Sequence, residues 1–226
     1  MSHPHQLSGK KLFFSIILNI AITVSQFIGG IISGSLALIS DAVHNLSDVI
    51  SLIISYIANI LTNRKKQTSQ QTFGYKRAEI VAAFINSASL IVIAVFLAFE
   101  AVKRLQNPIE LESNIVIVLA LLAIFANGFS VLLLKKDAHH NLNMRAAYLH
   151  LLSDMLTSVA VLIGGLLMKF YQIYWIDGVL TIIISAYLFF MSWHIFRDSL
   201  QILMLFAPKH IKIEEIQNEI IEIDGV

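Results

Sequence analysis

An all-α membrane protein with six transmembrane helices and both termini in the cytoplasm is what this sequence predicts, and three observations predict it. Of the 226 residues 57% are hydrophobic and only 14% are charged, with a mean hydropathy of +0.75, whereas a soluble domain of this size carries roughly 25% charge. Apolar stretches of the roughly 20 residues needed to cross a bilayer occur six times. Finally, the Lys and Arg residues fall almost entirely into one alternate set of connecting loops.

The spans are drawn at 12–32, 36–61, 79–102, 114–134, 147–168 and 175–195. Span one follows a polar segment, 1–11, that lacks a cleavage-site pattern, so it is expected to be retained rather than removed as a signal peptide. Span two carries a polar stripe, Ser40/Asp41, His44, Asp48, Ser51 and Ser55, at steps of three and four. Span five carries another, His150, Ser153/Asp154, Thr157 and Gly164. A helix striped in this way faces protein or water rather than lipid. Span one (Asn19, Thr23, Gln26, Gly30) and span six (Asp177, Thr181, Ser185) are striped more weakly.

Orientation follows from counting cations. One set of loops holds 13 of the Lys and Arg residues and the other holds Lys103, Arg104 and Lys169, which sets the first set in the cytoplasm. The net charge of +1 gives no footing for a nucleic-acid partner, and topology alone accounts for the basic loops.

The chemistry lies in a repeated pattern. His44-Asn45-Leu46-Ser47-Asp48 and His150-Leu151-Leu152-Ser153-Asp154 both read His-x-Leu-Ser-Asp inside an apolar span. Residues four apart share a helix face about one turn apart, so each pair can reach one ion, and two helices supply four ligands. Two imidazoles and two carboxylates suit tetrahedral Zn²⁺ and offset its charge where water is scarce. The absence of cysteine removes thiolate ligands and disulfides alike. Spans two and five run in opposite directions, and the motifs reach one depth only if helix five starts near 138–141, a turn or two outside its apolar stretch. Asp41, three residues before His44 on the same face, is a candidate to receive an incoming ion or a proton, against the alternative of a structural hydrogen bond. Asp177 is a candidate of the same kind.

Other polar residues have blander readings. Asn19, Thr23, Gln26, Asn86 and Asn127 are expected to serve helix packing, and Gly29-Gly30 and Gly164-Gly165 to permit close helix approach. His3, His5, His139 and His140 are expected to be solvated. A membrane metalloenzyme needs an open coordination position and a general base, but there is no H-E-x-x-H and the His₂Asp₂ set fills a tetrahedron. A channel needs weak sites, against which a tight four-donor site argues.

The segments 35–48, 73–79 (Phe-Gly-Tyr-Lys-Arg-Ala-Glu) and 143–154 resemble the signature segments of the cation diffusion facilitator family. The resemblance extends in register from about residue 10 onward, with Trp175-Ile176-Asp177-Gly178 similar to the start of the family's sixth helix. It implies proton-coupled Zn²⁺ export from the cytoplasm across the cell membrane, usually by a homodimer, with His44, Asp48, His150 and Asp154 as transport site. His44 resembles the zinc-preferring members, and Cd²⁺ and Co²⁺ are further candidate ions. Residues 12–200 would form the transport domain. Residues 207–216 resemble the first helix of the family's cytoplasmic ferredoxin-like domain, so 201–226 is expected to be a truncated start of it. The loop 62–75 has no His, Asp or Glu, so the extra metal site some relatives hold there is expected to be missing.

Overall fold

The computed structural model describes residues 5–64, 76–135 and 142–206, with side chains for 16–50, 80–135, 145 and 148–206. Within these residues the chain forms six helices and no strand: α1 (His5–Ser33), α2 (Leu36–Arg64), α3 (Lys76–Gln106), α4 (Ser113–Leu134), α5 (Leu142–Tyr171) and α6 (Trp175–Leu203). Among the described residues five stretches are long and apolar enough to cross a membrane: Ile16–Ser33, Ile80–Gln106, Ser113–Leu134, Tyr148–Tyr171 and Trp175–Leu203. The helix outside that set, α2, is 29 residues long and carries the most polar stripe. The protein is inverted relative to a water-soluble one. Phe96, Phe125, Leu132 and Phe170 are 63–71% exposed, while Gln26, Asp41, Asn45, Asn127 and Asp154 are at most 2% exposed. That distribution suits hydrocarbon outside and polar partners within.

Close approach of the helices depends on the glycine pairs. A methyl at Gly29 would collide with Leu119 of α4 and one at Gly164 with Leu180 of α6; at Gly30 it would meet Ile39 of α2 at 2.7 Å and at Gly165 Ile117 of α4 at 3.0 Å. The packing role expected of both pairs is therefore met. Residues 207–226, including the segment likened to a cytoplasmic domain, lie outside the described residues, as do His3, His139, His140 and the loop 65–75.

One end of the bundle is tied together by a polar knot. Gly34, at φ +73°, turns the chain from α1 into α2, a left-handed conformation that costs glycine little. Its carbonyl accepts a hydrogen bond from the Arg104 guanidinium. The Ser35 hydroxyl accepts from the Leu38 N–H at 3.2 Å, as a helix N-cap does. The Asp177 carboxylate, from the first turn of α6, takes the Ser35 hydroxyl at 2.5 Å and the backbone N–H groups of Leu36 and Ala37 at 2.9 and 3.3 Å. It also pairs with Arg104 at 3.5 Å. The Glu112 N–H, just before α4, donates to the Ser33 carbonyl at 3.2 Å. Helices α1 and α3 thus end, and α2, α4 and α6 begin, at the same level, so successive helices alternate in direction.

This knot gives Asp177, which the sequence offered as a proton-transfer or ion-receiving candidate, a capping contact with the start of α2 and an ion pair with Arg104. Both of its oxygens are occupied in capping α2, whose first-turn N–H groups and dipole favour an anion. Leu36 and His44 are eight residues apart, about 12 Å along the helix, so Asp177 also stands well away from the His-Asp motifs. Asp177→Ala would leave Arg104 and the α2 N–H groups without their partner, at a cost of about 3–5 kcal/mol. Thermal unfolding in detergent should shift down by roughly 10 °C; an unchanged transition would show that the cap does not hold these helices.

Candidate metal centre

Helices α2 and α5 meet at their His-x-Leu-Ser-Asp segments. The described part of α5 begins at Leu142, next to the start near 138–141 that a common depth requires, and the two motifs do lie at one level. His44 Nε2 is 3.8 Å from Asp48 Oδ2 and 3.8 Å from Asp154 Oδ1. His150 Nε2 is 3.4 Å from Asp48 Oδ2 and 3.4 Å from Asp154 Oδ2. Donor atoms of His44, His150 and Asp154 all fall within 4.8 Å of one another. Zn²⁺ with bonds of about 2.0–2.1 Å has tetrahedron edges of about 3.4 Å. The four His-Asp separations are of that order, but Asp154 meets the two imidazoles through different oxygens, and the compact three-residue group is His44, His150 and Asp154, with Asp48 joined to it through the imidazoles.

The four donors are unequally enclosed. His44 and Asp154 are 6% and 2% exposed, whereas the side chains of Asp48 and His150 are 30% and 32% exposed. Between the cluster and the Asp177 knot lies an apolar layer that includes Leu38 on α2, Ala94 on α3, Val116 and Ala120 on α4 and Val161 on α5. The site is therefore sealed toward the knot and more open toward the far end. Beside it is a cavity of about 30 Å³, lined by His44, Ser47 and Asp48 on α2, Asn86 and Leu90 on α3, and Ser192 on α6, among others. That is room for a water molecule or two next to the donors.

Neighbouring side chains fix the ligands. The Tyr187 ring of α6 meets the His44 ring edge-on, centroids 5.7 Å apart and planes at 81°. The two imidazoles face each other at 71° with centroids 6.0 Å apart. Asn86, read from sequence as a packing residue, donates to the Ser47 hydroxyl at 2.8 Å, next to Asp48. Asp41 lies one turn nearer the knot, 1% exposed, with Gln26 of α1 donating to its Oδ2 at 2.7 Å. No described basic side chain reaches it. Tyr187 was not singled out from the sequence. A tyrosine in an apolar span has no periodic signature of its own, and only the packing of α6 on α2 brings it to the imidazole.

A bundle of membrane-length helices that brings His44, His150 and Asp154 within 4.8 Å of one another, with Asp48 beside them, is an integral membrane protein with a cluster able to hold a divalent cation. The sequence profile of the cation efflux transmembrane domain matches residues 12–204. The whole chain aligns at 36% identity with 74% of the cadmium, cobalt and zinc/H(+)-K(+) antiporter of Bacillus subtilis strain 168. It aligns at 32% identity with 71% of the metal cation efflux system protein CzcD of Cupriavidus metallidurans. In the zinc transporter ZitB of Escherichia coli K12, 32% identity extends over 95% of this chain and 68% of the relative. The chain belongs to the cation efflux family.

Replacing His150 by Ala removes one donor, so zinc affinity in detergent should fall by more than the roughly 10–100-fold typical of losing a supporting residue. Tyr187→Leu should weaken zinc by about tenfold without abolishing binding. Equal zinc affinity in His150→Ala and wild type, by calorimetric titration, would remove that imidazole from the shell.

Proposed function

We propose that this chain exports zinc from the cytoplasm across the cell membrane in exchange for protons, with His44, Asp48, His150 and Asp154 as the transport site. The observation that carries this reading is the set of four His-Asp separations of 3.4–3.8 Å joining α2 to α5 in the interior of an apolar bundle. Zinc, cadmium and cobalt appear in the names of the relatives, and a borderline nitrogen and carboxylate set accommodates all three.

The exchange follows from the donors. Zinc binds neutral imidazole and ionised carboxylate, so loading releases protons, and protons arriving from the other face displace the metal. One set of ligands serves both ions, and their competition is the coupling. With the basic loops in the cytoplasm, the part-exposed Asp48 and His150 face that side, and the apolar layer beneath the Asp177 knot closes the other. The structure then corresponds to the loading state, and transport requires the helices to rock until the seal lies on the cytoplasmic side. A filled His₂Asp₂ tetrahedron leaves no position for a reacting water, so the chain is a carrier and not an enzyme. Pairing of two chains is the part of this reading that rests on family resemblance, and mass measurement in mild detergent tests it.

Vesicles carrying the protein should take up zinc when an opposing proton gradient is imposed, with proton movement in the reverse direction. Asp48→Ala and Asp154→Ala should each abolish zinc flux while the protein still inserts; flux near the wild-type rate in either would sink the proposed site. Zinc binding should weaken steadily as pH is lowered through the range where imidazole protonates, and a pH-independent affinity would contradict competition between the two ions. His44→Asp replaces a nitrogen by a hard oxygen donor and should change the ratio of zinc to manganese transport.

A further inference from the structure

The cavity of about 30 Å³ beside the metal donors is walled unevenly. Besides His44 and Asp48, its polar side is made of Ser47 on α2, Asn86 and Ser87 on α3 and Ser192 on α6, while Leu90 and Leu188 belong to its apolar side. Ser47, Ser87 and Ser192 are buried, so these hydroxyls stand in the interior rather than in bulk water. The Asn86 amide donates to the Ser47 hydroxyl at 2.8 Å and ties α3 to α2 at this wall. A hydroxyl that accepts one bond keeps a proton and a lone pair for a second partner. The Ser87 hydroxyl donates to the Phe84 carbonyl at 3.0 Å and keeps its lone pairs to accept. A bound water needs about 10–15 Å³ and two to four polar partners, and the cavity meets both conditions. Its volume is far too small for the complete water shell of an ion.

That space matters because divalent ions differ in how many donors they take. The two imidazoles and two carboxylates satisfy zinc, whose filled d shell asks for no more than a tetrahedron. Cobalt, named among the ions of a relative, has an open d shell that gains from a fifth or sixth donor. A further donor can approach from the part-exposed flank of Asp48 and His150 or from the cavity. The cavity alone is bounded by packed side chains, so it limits the number of waters it admits. An ion that completes its shell with one or two waters fits. Magnesium, which sheds water reluctantly and keeps several, does not.

We propose that Ser47, Asn86 and Ser192 hold water against the metal and give cobalt coordination positions beyond the His-Asp donors, so that the size of this cavity helps to set which divalent ions are carried. This inference rests on the zinc reading above and adds residues on α3 and α6 to the determinants of specificity. Zinc uses the four side chains alone, so filling the cavity should turn the carrier toward zinc and against cobalt.

The test uses the full-length chain in detergent with one equivalent of Co²⁺, read by its visible d–d absorption, which is intense for a four-coordinate ion and weak for a five- or six-coordinate one. Wild type should give the weak spectrum. Ser192→Val, which replaces the hydroxyl by two methyls, should convert it to the intense one and raise the ratio of zinc to cobalt affinity roughly tenfold, read by competition. Ser192→Ala removes the hydroxyl but keeps the space, and its spectrum should stay weak. Asn86→Leu fills the same cavity from α3 and repeats the test should Ser192→Val fail to fold. An intense spectrum in wild type would overturn the proposal whatever the variants do. A weak spectrum and an unmoved affinity ratio in the filled variants would overturn it too, because the added donors would then come from the exposed flank. Zinc binding with cobalt rejected by wild type would overturn it while sparing the zinc site. Failure of wild type to bind either ion would instead refute the zinc reading.

Discussion

Everything in this bundle follows from the cost of holding charged side chains away from water. An isolated carboxylate or imidazolium in a bilayer is expensive, by at least about 2.5 kcal/mol on insertion scales, so such groups persist where partners surround them. The His-Asp pairs of α2 and α5 are mutual partners at 3.4–3.8 Å. Their spacing of four residues puts each pair on one helix face, and the antiparallel run of the two helices brings His44 opposite Asp154 and Asp48 opposite His150. The remaining architecture holds that register. Asp177 fixes where α2 begins, the Gly34 turn sets its angle to α1, and the bare backbones at Gly164 and Gly165 let α6 and α4 press against α5.

Helix α2 meets two kinds of polar surroundings at successive turns of one face. Toward α3 and α6 it faces the small cavity beside His44 and Asp48, which has room for a water molecule or two. A turn nearer the knot, Gln26 of α1 donates to the enclosed Asp41. The seal is one-sided: Leu38 and Val161 close the knot end, while Asp48 and His150 remain part-exposed. A carrier needs such a barrier on one face at a time.

The sequence was most legible where periodicity and chemistry coincide. Two pentads of one pattern, His-x-Leu-Ser-Asp, in apolar spans announced the cluster, and the depth argument anticipated that helix five would outrun its apolar stretch, as Leu142–Tyr171 does. Periodicity reports which face a residue is on, not what lies opposite. Asp177 therefore looked like part of a polar stripe, although its partners are the backbone N–H groups of a helix some 140 positions earlier in the chain. Gln26 was read as helix glue for the same reason. It does join α1 to α2, but through a carboxylate, which gives it an electrostatic consequence that packing alone lacks. Tyr187 needed the α6 rotation, which no local pattern encodes.

The central claim is that one zinc ion is held by two imidazoles and two carboxylates drawn from α2 and α5. X-ray absorption at the zinc edge, on protein loaded with one equivalent per chain, reads the donor shell directly. The account predicts four nitrogen and oxygen neighbours at about 2.0–2.1 Å, with the outer-shell scattering of two imidazole rings, reduced to one ring in His44→Ala. A six-coordinate all-oxygen shell, or imidazole scattering unchanged by that substitution, would contradict it.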